Sequence, residues 1–155
     1  LTSLFLRDNS VALLHIGDSR AYRLRGNTLE QLSVDHTVIQ ELLNQGAISE
    51  SDIATHPQRS VLTQVLMGEG NLELPLPVFE GKIKDRYLLC SDGLSSVLSE
   101  KEIKSLIKGR DRDEAVNALI DATYINGAPD NVTVVIADIV EEAQPDTTEK
   151  IGAAQ

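Results

Sequence analysis

The sequence predicts an α+β layered sandwich, and three observations carry that prediction. Apolar runs with strand-like alternation fill the first third and are joined by hairpin dipeptides. Helical periodicity framed by capping residues then takes over. A strongly apolar run, "DNVTVVIADIV", closes the patterned part of the chain.

In order, Ser3 to Arg7 and Val11 to Ile16 are β-forming runs separated by Asp8-Asn9, a pair that tolerates the left-handed backbone of a tight turn. Ala21 to Arg25 and Thr28 to Leu32 are joined in the same way through Gly26-Asn27, so the first third reads as an antiparallel meander. Thr37-Val-Ile-Gln40 fits a capping box, with Asp35 as a competing N-cap. Val38, Ile39, Leu42 and Leu43 make a helical stripe that stops at Gly46. From Ala47 to Leu76 the signals mix: a short helix over Ser49 to Ile53, a break at His56-Pro57, and a loop at Gly68-Glu-Gly70. Strands return over Val78 to Ile83 and Arg86 to Cys90.

Ser99-Glu-Lys-Glu102 is a second capping box, opening a helix with Ile103, Leu106 and Ile107 on one face and Gly109 as its stop. Asp111 begins the longest helix, whose inward face is predicted to hold Ala115, Val116, Leu119, Ile120 and Tyr124. The closing strand is apolar enough to be expected in a central position or covered on both faces. Glu141 to Gln155, polar and without periodicity, reads as a tail or linker.

Composition narrows the class. At 155 residues, 41% hydrophobic and 25% charged, the chain has the make-up of one globular domain. No window approaches the roughly 18 apolar residues of a membrane span. A net charge of −10 argues against a nucleic-acid binder, which needs clustered Lys and Arg to displace counterions. Cys90 is alone, so no internal disulfide forms and a reducing cytoplasm is the default. The opening "LTSLFLRDNSVALLHIG" alternates like a strand in mid-sheet, and we expect the sequence to be a piece of a longer chain.

Three times an apolar strand meets an aspartate at a turn. "LLHIGDSR" places Asp18 and "YLLCSDGL" places Asp92 after a strand, whereas "GAPDNVTVVIA" places Asp130 before one. Antiparallel strands would bring all three to the same sheet end, beside Gly17 and Gly93, where the backbone turns sharply. Rigidly held anionic oxygens are what hard cations such as Mg²⁺ and Mn²⁺ bind. Taken singly, an Asp beside a Gly is a capping or turn residue far more often than a metal ligand.

The motifs "HIGDSRAYRLR", "LSVDHT", "LTQVLMG", "LLCSDGLSSVLSEKEI" and "GAPDNVTVVIA", in this order, resemble the metal-dependent serine/threonine phosphatases of the PPM (PP2C) family, most closely the compact bacterial ones. The likeness covers Leu1 to Val140 and implies two antiparallel sheets flanked by helices, an α-β-β-α sandwich incomplete at its N-terminus. It implies that Asp92 and Asp130 ligate a two-metal Mg²⁺ or Mn²⁺ centre and that Asp18 serves a third, weaker site. A flap is implied over about Thr37 to Leu66, and a metal-activated water would hydrolyse phosphoserine and phosphothreonine in proteins phosphorylated by Ser/Thr kinases. The family's "DG-x-GG" metal motif and its phosphate-gripping Arg are not in this sequence, so the polypeptide alone is expected to be inactive, or to be a non-catalytic binding module. A dimer, strand exchange or a complementing N-terminal piece is expected to cover the resulting open edges.

Other residues have plainer readings. Cys90 lacks the Arg six positions on that a cysteine phosphatase needs, Ser96 standing there, and reads as buried core. His15, His36 and His56 lie too far apart in sequence to suggest zinc, with His36 of interest for its place at the flap's start. Ser19 and Ser91 read as turn residues or as hydrogen-bonding supports of the aspartates, and Asn131 either orients Asp130 or only shapes the turn.

Overall fold

The computed structural model describes residues 1–66 and 74–141. Gly68 and Gly70 and nearly all of the predicted tail lie outside the described residues. Strands β1 (Thr2–Arg7) and β2 (Ser10–His15) pair antiparallel, Arg7 opposite Ser10 across the Asp8-Asn9 turn, and β5 (Val78–Glu80) pairs on the far side of β2. Strands β3 (Arg20–Arg25) and β4 (Thr28–Gln31) form a second hairpin, extended by β6 (Arg86–Cys90) and β7 (Val134–Asp138). The result is a three-stranded sheet, β1-β2-β5, and a four-stranded sheet, β4-β3-β6-β7, all antiparallel.

The expected meander is therefore split. Both hairpins form where the turn dipeptides placed them, but the turn at Gly17 carries the chain from one sheet to the other, because Val11 and Leu13 bury against Ala21 and Tyr87 across the sandwich.

Helices follow their caps. Thr37 accepts the Gln40 N–H at the start of α1 (Val38–Asn44), while the Gln40 side chain donates to Asn44 instead of closing a box. Ser49 opens a 3₁₀ turn over Glu50–Thr55 with Asp52 reaching back. Helix α3 (Glu100–Ile107) has the full Ser99/Glu102 box, and Asp111 caps α4 (Arg112–Ile125) by accepting the Glu114 N–H. A one-turn helix, α2 (Asp92–Ser95), stands where the sequence suggested only a turn.

Two apolar clusters hold these layers. One lies between the four-stranded sheet and the helices, with Tyr22, Leu88, Leu94, Ile103, Ile107 and Leu119 at its centre. The other lies between the sheets. The central strands β3 and β6 feed both clusters: on β6, Leu88 and Cys90 face the helices and Tyr87 faces the other sheet.

Three further expectations are corrected. The buried stripe of α4 is Ala115, Leu119 and Thr123, and Tyr124 is 68% exposed. A strict four-residue step turns the small residues inward and the tyrosine out. The closing strand is an edge strand among the described residues, and Val135 is 50% exposed. Val134 and Ile136 spend their apolar surface on the helix-side cluster, which leaves Val135 on the opposite face. β5 is also shorter than predicted, ending at Glu80 before Gly81, whose N–H bonds the Asn9 carbonyl.

Candidate metal centre

Arg20 pairs with Cys90, and Cys90 pairs with Val134. This register brings three chain turns to one end of the four-stranded sheet. Asp18 stands just ahead of β3, Asp92 just after β6, and Asp130 just ahead of β7. Alternating strand direction makes the "strand-then-Asp" and "Asp-then-strand" patterns equivalent in space.

The Ser91 and Asp130 turns are stitched together. The Ser91 hydroxyl donates to the Asn131 carbonyl at 3.1 Å and accepts the Thr133 N–H at 3.0 Å, while the Ser91 N–H donates to the Thr133 carbonyl at 3.1 Å. Gly93 follows because there is no room for anything larger: a Cβ there would lie 2.3 Å from the Asn131 carbonyl oxygen. The Asp130 carboxylate accepts the Asn131 N–H at 2.7 Å, which fixes the turn.

The Asp18 turn is held from the opposite side. Gly17 takes a φ of +101°, a conformation that suits glycine. His36 clasps it twice, its N–H donating to the Gly17 carbonyl at 2.8 Å and its Nδ1 accepting the Gly17 N–H at 3.2 Å. The His36 ring lies 4.9 Å from that of His15, whose buried Nε2 has no hydrogen-bond partner among the described residues. Burial, with the neighbouring His36 second, pushes His15 below the usual histidine range.

A cleft of about 840 Å³ opens here, lined by Asp18, Arg20, Asp35, Arg59, Asp92 and Glu100 among others. Burial, reinforced by the Asp92 negative charge, raises the Asp18 carboxyl above its usual range. A half-buried carboxyl raised in this way, with a second carboxylate lining the same cleft, is a donor pair whose charge a hard cation would offset. Asp130 does not line the cleft, and among the described residues no group of three or more His, Cys, Asp and Glu is arranged to hold a metal. Asp18 and Asp92 thus share the cleft, while Asp130 lies on the adjoining turn.

The sequence reading missed the ion pair that braces this wall. The Arg20 Nε meets both Asp35 oxygens at 3.1 and 3.0 Å and its Nη2 meets Oδ2 at 2.7 Å, with Gln31 adding a bond to Oδ1 at 3.1 Å. Asp35 is therefore a partner of Arg20, and Thr37 caps α1 alone. Arg20 Nη1 also reaches the Tyr22 hydroxyl, whose burial pushes it up to about 12. The only hint in sequence was an arginine and an aspartate of opposite charge flanking the two turns. Cys90 is buried, and burial pushes its thiol up to about 11, which suits an inert core residue.

Residues 37–66, the predicted flap, contain α1 and the 3₁₀ turn. Thr37 and Leu62 form an isolated antiparallel bridge, with Val38 N–H on the Val61 carbonyl and Thr63 N–H on the His36 carbonyl. Arg59, Glu50 and Ile53 from this segment line the same cleft as Asp18 and Asp92.

No protein-family model matches the chain. It is 41% identical over 141 residues to the serine/threonine protein phosphatase PstP of Mycobacterium tuberculosis, covering 91% of this chain and 27% of that protein. It is 35% identical over 139 residues to the serine/threonine phosphatase stp of Listeria welshimeri, covering 89% of this chain and 55% of that one. The crystal structure of M. tuberculosis PstP superimposes with a TM-score of 0.85 at 40% identity, covering 90% of this chain and 59% of that one. A PstP catalytic domain in complex with two manganese ions superimposes at 0.81, with 36% identity, over 90% of this chain and 58% of that one. The chain thus spans between about a quarter and three-fifths of these relatives' lengths.

Proposed function

Because the chain is homologous, over nine-tenths of its own length, to part of the PPM serine/threonine phosphatases, we propose that it is the metal-binding C-terminal portion of an enzyme that hydrolyses phosphoserine and phosphothreonine in proteins. Residues 1–140 make up that portion and 141–155 a tail. The single observation that carries the reading is the seating of the Ser91–Gly93 turn on the Asp130–Asn131 turn, at the sheet end that also holds Asp18. Asp92 and Asp130 are the ligands of a two-metal centre and Asp18 of a third, weaker site. Ser91 and Asn131 hold the two turns in register.

Bound Mg²⁺ or Mn²⁺ would supply an acidified water and neutralise charge on the phosphoryl oxygens. The chain's own part is to supply anionic oxygens and to keep their turns rigid. The Arg20–Asp35 fork and the His36 clasp keep the Asp18 side from collapsing, and the flap wall limits access to the cleft. Substrates are proteins phosphorylated by Ser/Thr kinases, and the compartment this implies is the cytoplasm. Among the described residues no helix is long and apolar enough to cross a membrane. The sheet faces left open are covered by a second copy or a complementing N-terminal piece.

A second reading, a non-catalytic binding module, is favoured by one observation: among the described residues no three of the His, Cys, Asp and Glu side chains are grouped so as to hold a metal. Calorimetric titration with Mn²⁺ separates the two. The leading reading expects Mn²⁺ binding that Asp92→Asn weakens far more than Asp18→Asn does, together with little or no turnover of a phosphopeptide by the chain alone. Equal and negligible effects of the two substitutions would leave only the binding module. Robust manganese-dependent turnover by the 155-residue chain would overturn its inactivity.

A further inference from the structure

A second cleft, of about 860 Å³, opens where β3 and β7 end and β6 begins. The length of β6, roughly 16 Å at about 3.3 Å per residue, separates it from the Asp92 turn. Its accessible apolar lining is Ile83, Ile139 and Val140, over a floor of buried Leu24 and Ile107, and it carries Lys84 from the β5–β6 turn with Lys108 and Arg110 from the α3–α4 turn.

Charge is distributed unevenly here. Asp138 is taken by Arg86, which meets it at 2.6 and 2.7 Å, and Asp111 is engaged as the cap of α4. Lys108 reaches only the neutral Asn27 side chain at 2.8 Å, and Arg110 reaches the carbonyls of Ser105 and Leu106 at 2.8 and 2.7 Å. Among the described residues, none of Lys84, Lys108 and Arg110 has an ion-pair partner. Outside the Arg86–Asp138 pair, three such cations border the cleft against two carboxylates, Asp111 and Glu141, a local positive excess in a chain of net charge −10.

The Lys84 backbone is fixed: its φ of +73° is the left-handed region that favours glycine, which Asp8 and Ala128 also occupy at other turns, and its N–H donates to the Ile139 carbonyl at 2.9 Å.

We propose that this cleft docks an acidic peptide segment of a partner protein. Its carboxylates meet Lys84, Lys108 and Arg110, and an apolar side chain rests among Ile83, Ile139 and Val140. A lone inorganic anion would leave most of the volume empty, and cations from two different turns suit a ligand bearing several carboxylates. The inference is independent of the metal reading, since none of these residues belongs to the Asp18–Asp92 end.

The test is fluorescence anisotropy with a labelled Glu-Glu-Leu-Glu-Glu-Leu hexapeptide and its Glu-Glu-Ser-Glu-Glu-Ser counterpart, at low and high salt. The 155-residue chain should bind the first peptide more tightly than the second and lose affinity as salt rises. Lys84→Gly with Lys108→Glu should weaken binding by about tenfold, the scale expected of charge complementarity at a partly exposed interface. Lys84→Gly alone should weaken binding while the Tm holds or rises, because glycine relaxes the turn, so that loss of binding is separated from loss of fold. No binding by the unmodified chain, no preference for leucine over serine, or equal binding by the double variant would overturn the proposal.

Discussion

A Cβ on Gly93 would stand 2.3 Å from the Asn131 carbonyl oxygen, a backbone atom that cannot swing aside as a flexible side chain would. Gly93→Ala must therefore push the Ser91 turn away from the Asp130 turn. Overpacking of this kind costs about 1–3 kcal/mol. We expect that loss in urea denaturation and, alongside it, weaker Mn²⁺ binding, since the displaced turns are those that carry Asp92 and Asp130. Asp85 shows the opposite kind of constraint. It is 1% exposed, and burial alone would raise its carboxyl; the Arg25 fork at 2.6 and 2.7 Å and the Lys82 N–H at 2.8 Å outweigh that and hold it below the usual range. A carboxyl whose pKa is lower folded than unfolded stabilises the fold fully above its unfolded value, near about 3.9. That contribution is lost as pH falls through the folded value. Asp85→Asn should then cost about 1.5–3 kcal/mol at neutral pH, the range for hydrogen bonds to a charged group, and the gap from the parent protein should shrink below about pH 4. Denaturant curves at neutral and acidic pH check both the size and the sign.

Among the elements, α3 is the most completely specified by its own residues. The Ser99 hydroxyl accepts the Glu102 N–H at 3.4 Å while the Glu102 carboxylate accepts both the Ser99 N–H at 2.9 Å and its hydroxyl at 2.6 Å. Ser99→Ala should cost about 1 kcal/mol by thermal or urea denaturation, with Mn²⁺ binding at the sheet end unchanged. Local devices such as this box, the Asp111 cap and the Asp8-Asn9 and Gly26-Asn27 turns were legible in sequence because each acts within a few residues. Helix α2 was not, because Asp92–Ser95 is a single turn whose apolar residue, Leu94, gives no periodicity to read. The split of the expected meander was not legible either, since the alternation of Val11–His15 and Arg20–Arg25 fits one sheet as well as two; only the packing of Val11 and Leu13 against Ala21 and Tyr87 decides it. At the candidate site, the three aspartates could be singled out from strand–turn patterns. Their bracing could not: Arg20 finds Asp35 fifteen residues away, and His15 meets His36 across two turns, contacts with no local sequence signature.

For the molecule as a whole, apolar cohesion and charge pull in opposite directions. Beyond the two buried clusters, Phe5 is 57% exposed and Val78 65% exposed on the three-stranded sheet, and Val135 is 50% exposed on the edge strand β7. Open edges and exposed apolar faces invite pairing with another chain. Covering about 100–150 Å² of such surface contributes only about 3 kcal/mol at about 25 cal/mol per Å², a weak drive that association entropy readily offsets. Against it stands a net charge of −10 on each copy, whose mutual repulsion is long-ranged at low salt and screened beyond about 8 Å at physiological ionic strength. Salt weakens the repulsion and leaves apolar burial intact, so self-association of the isolated chain should strengthen as salt rises from low to physiological, the reverse of an ion-paired interface. Val135→Lys places a charge in the middle of the edge strand and should shift the balance back to monomer across the same salt range. Sedimentation velocity as a function of concentration and salt reads both effects. A chain that stays monomeric at every salt, or a Val135→Lys variant that associates as the parent does, would mean that neither the β7 edge nor its apolar face drives contact between copies.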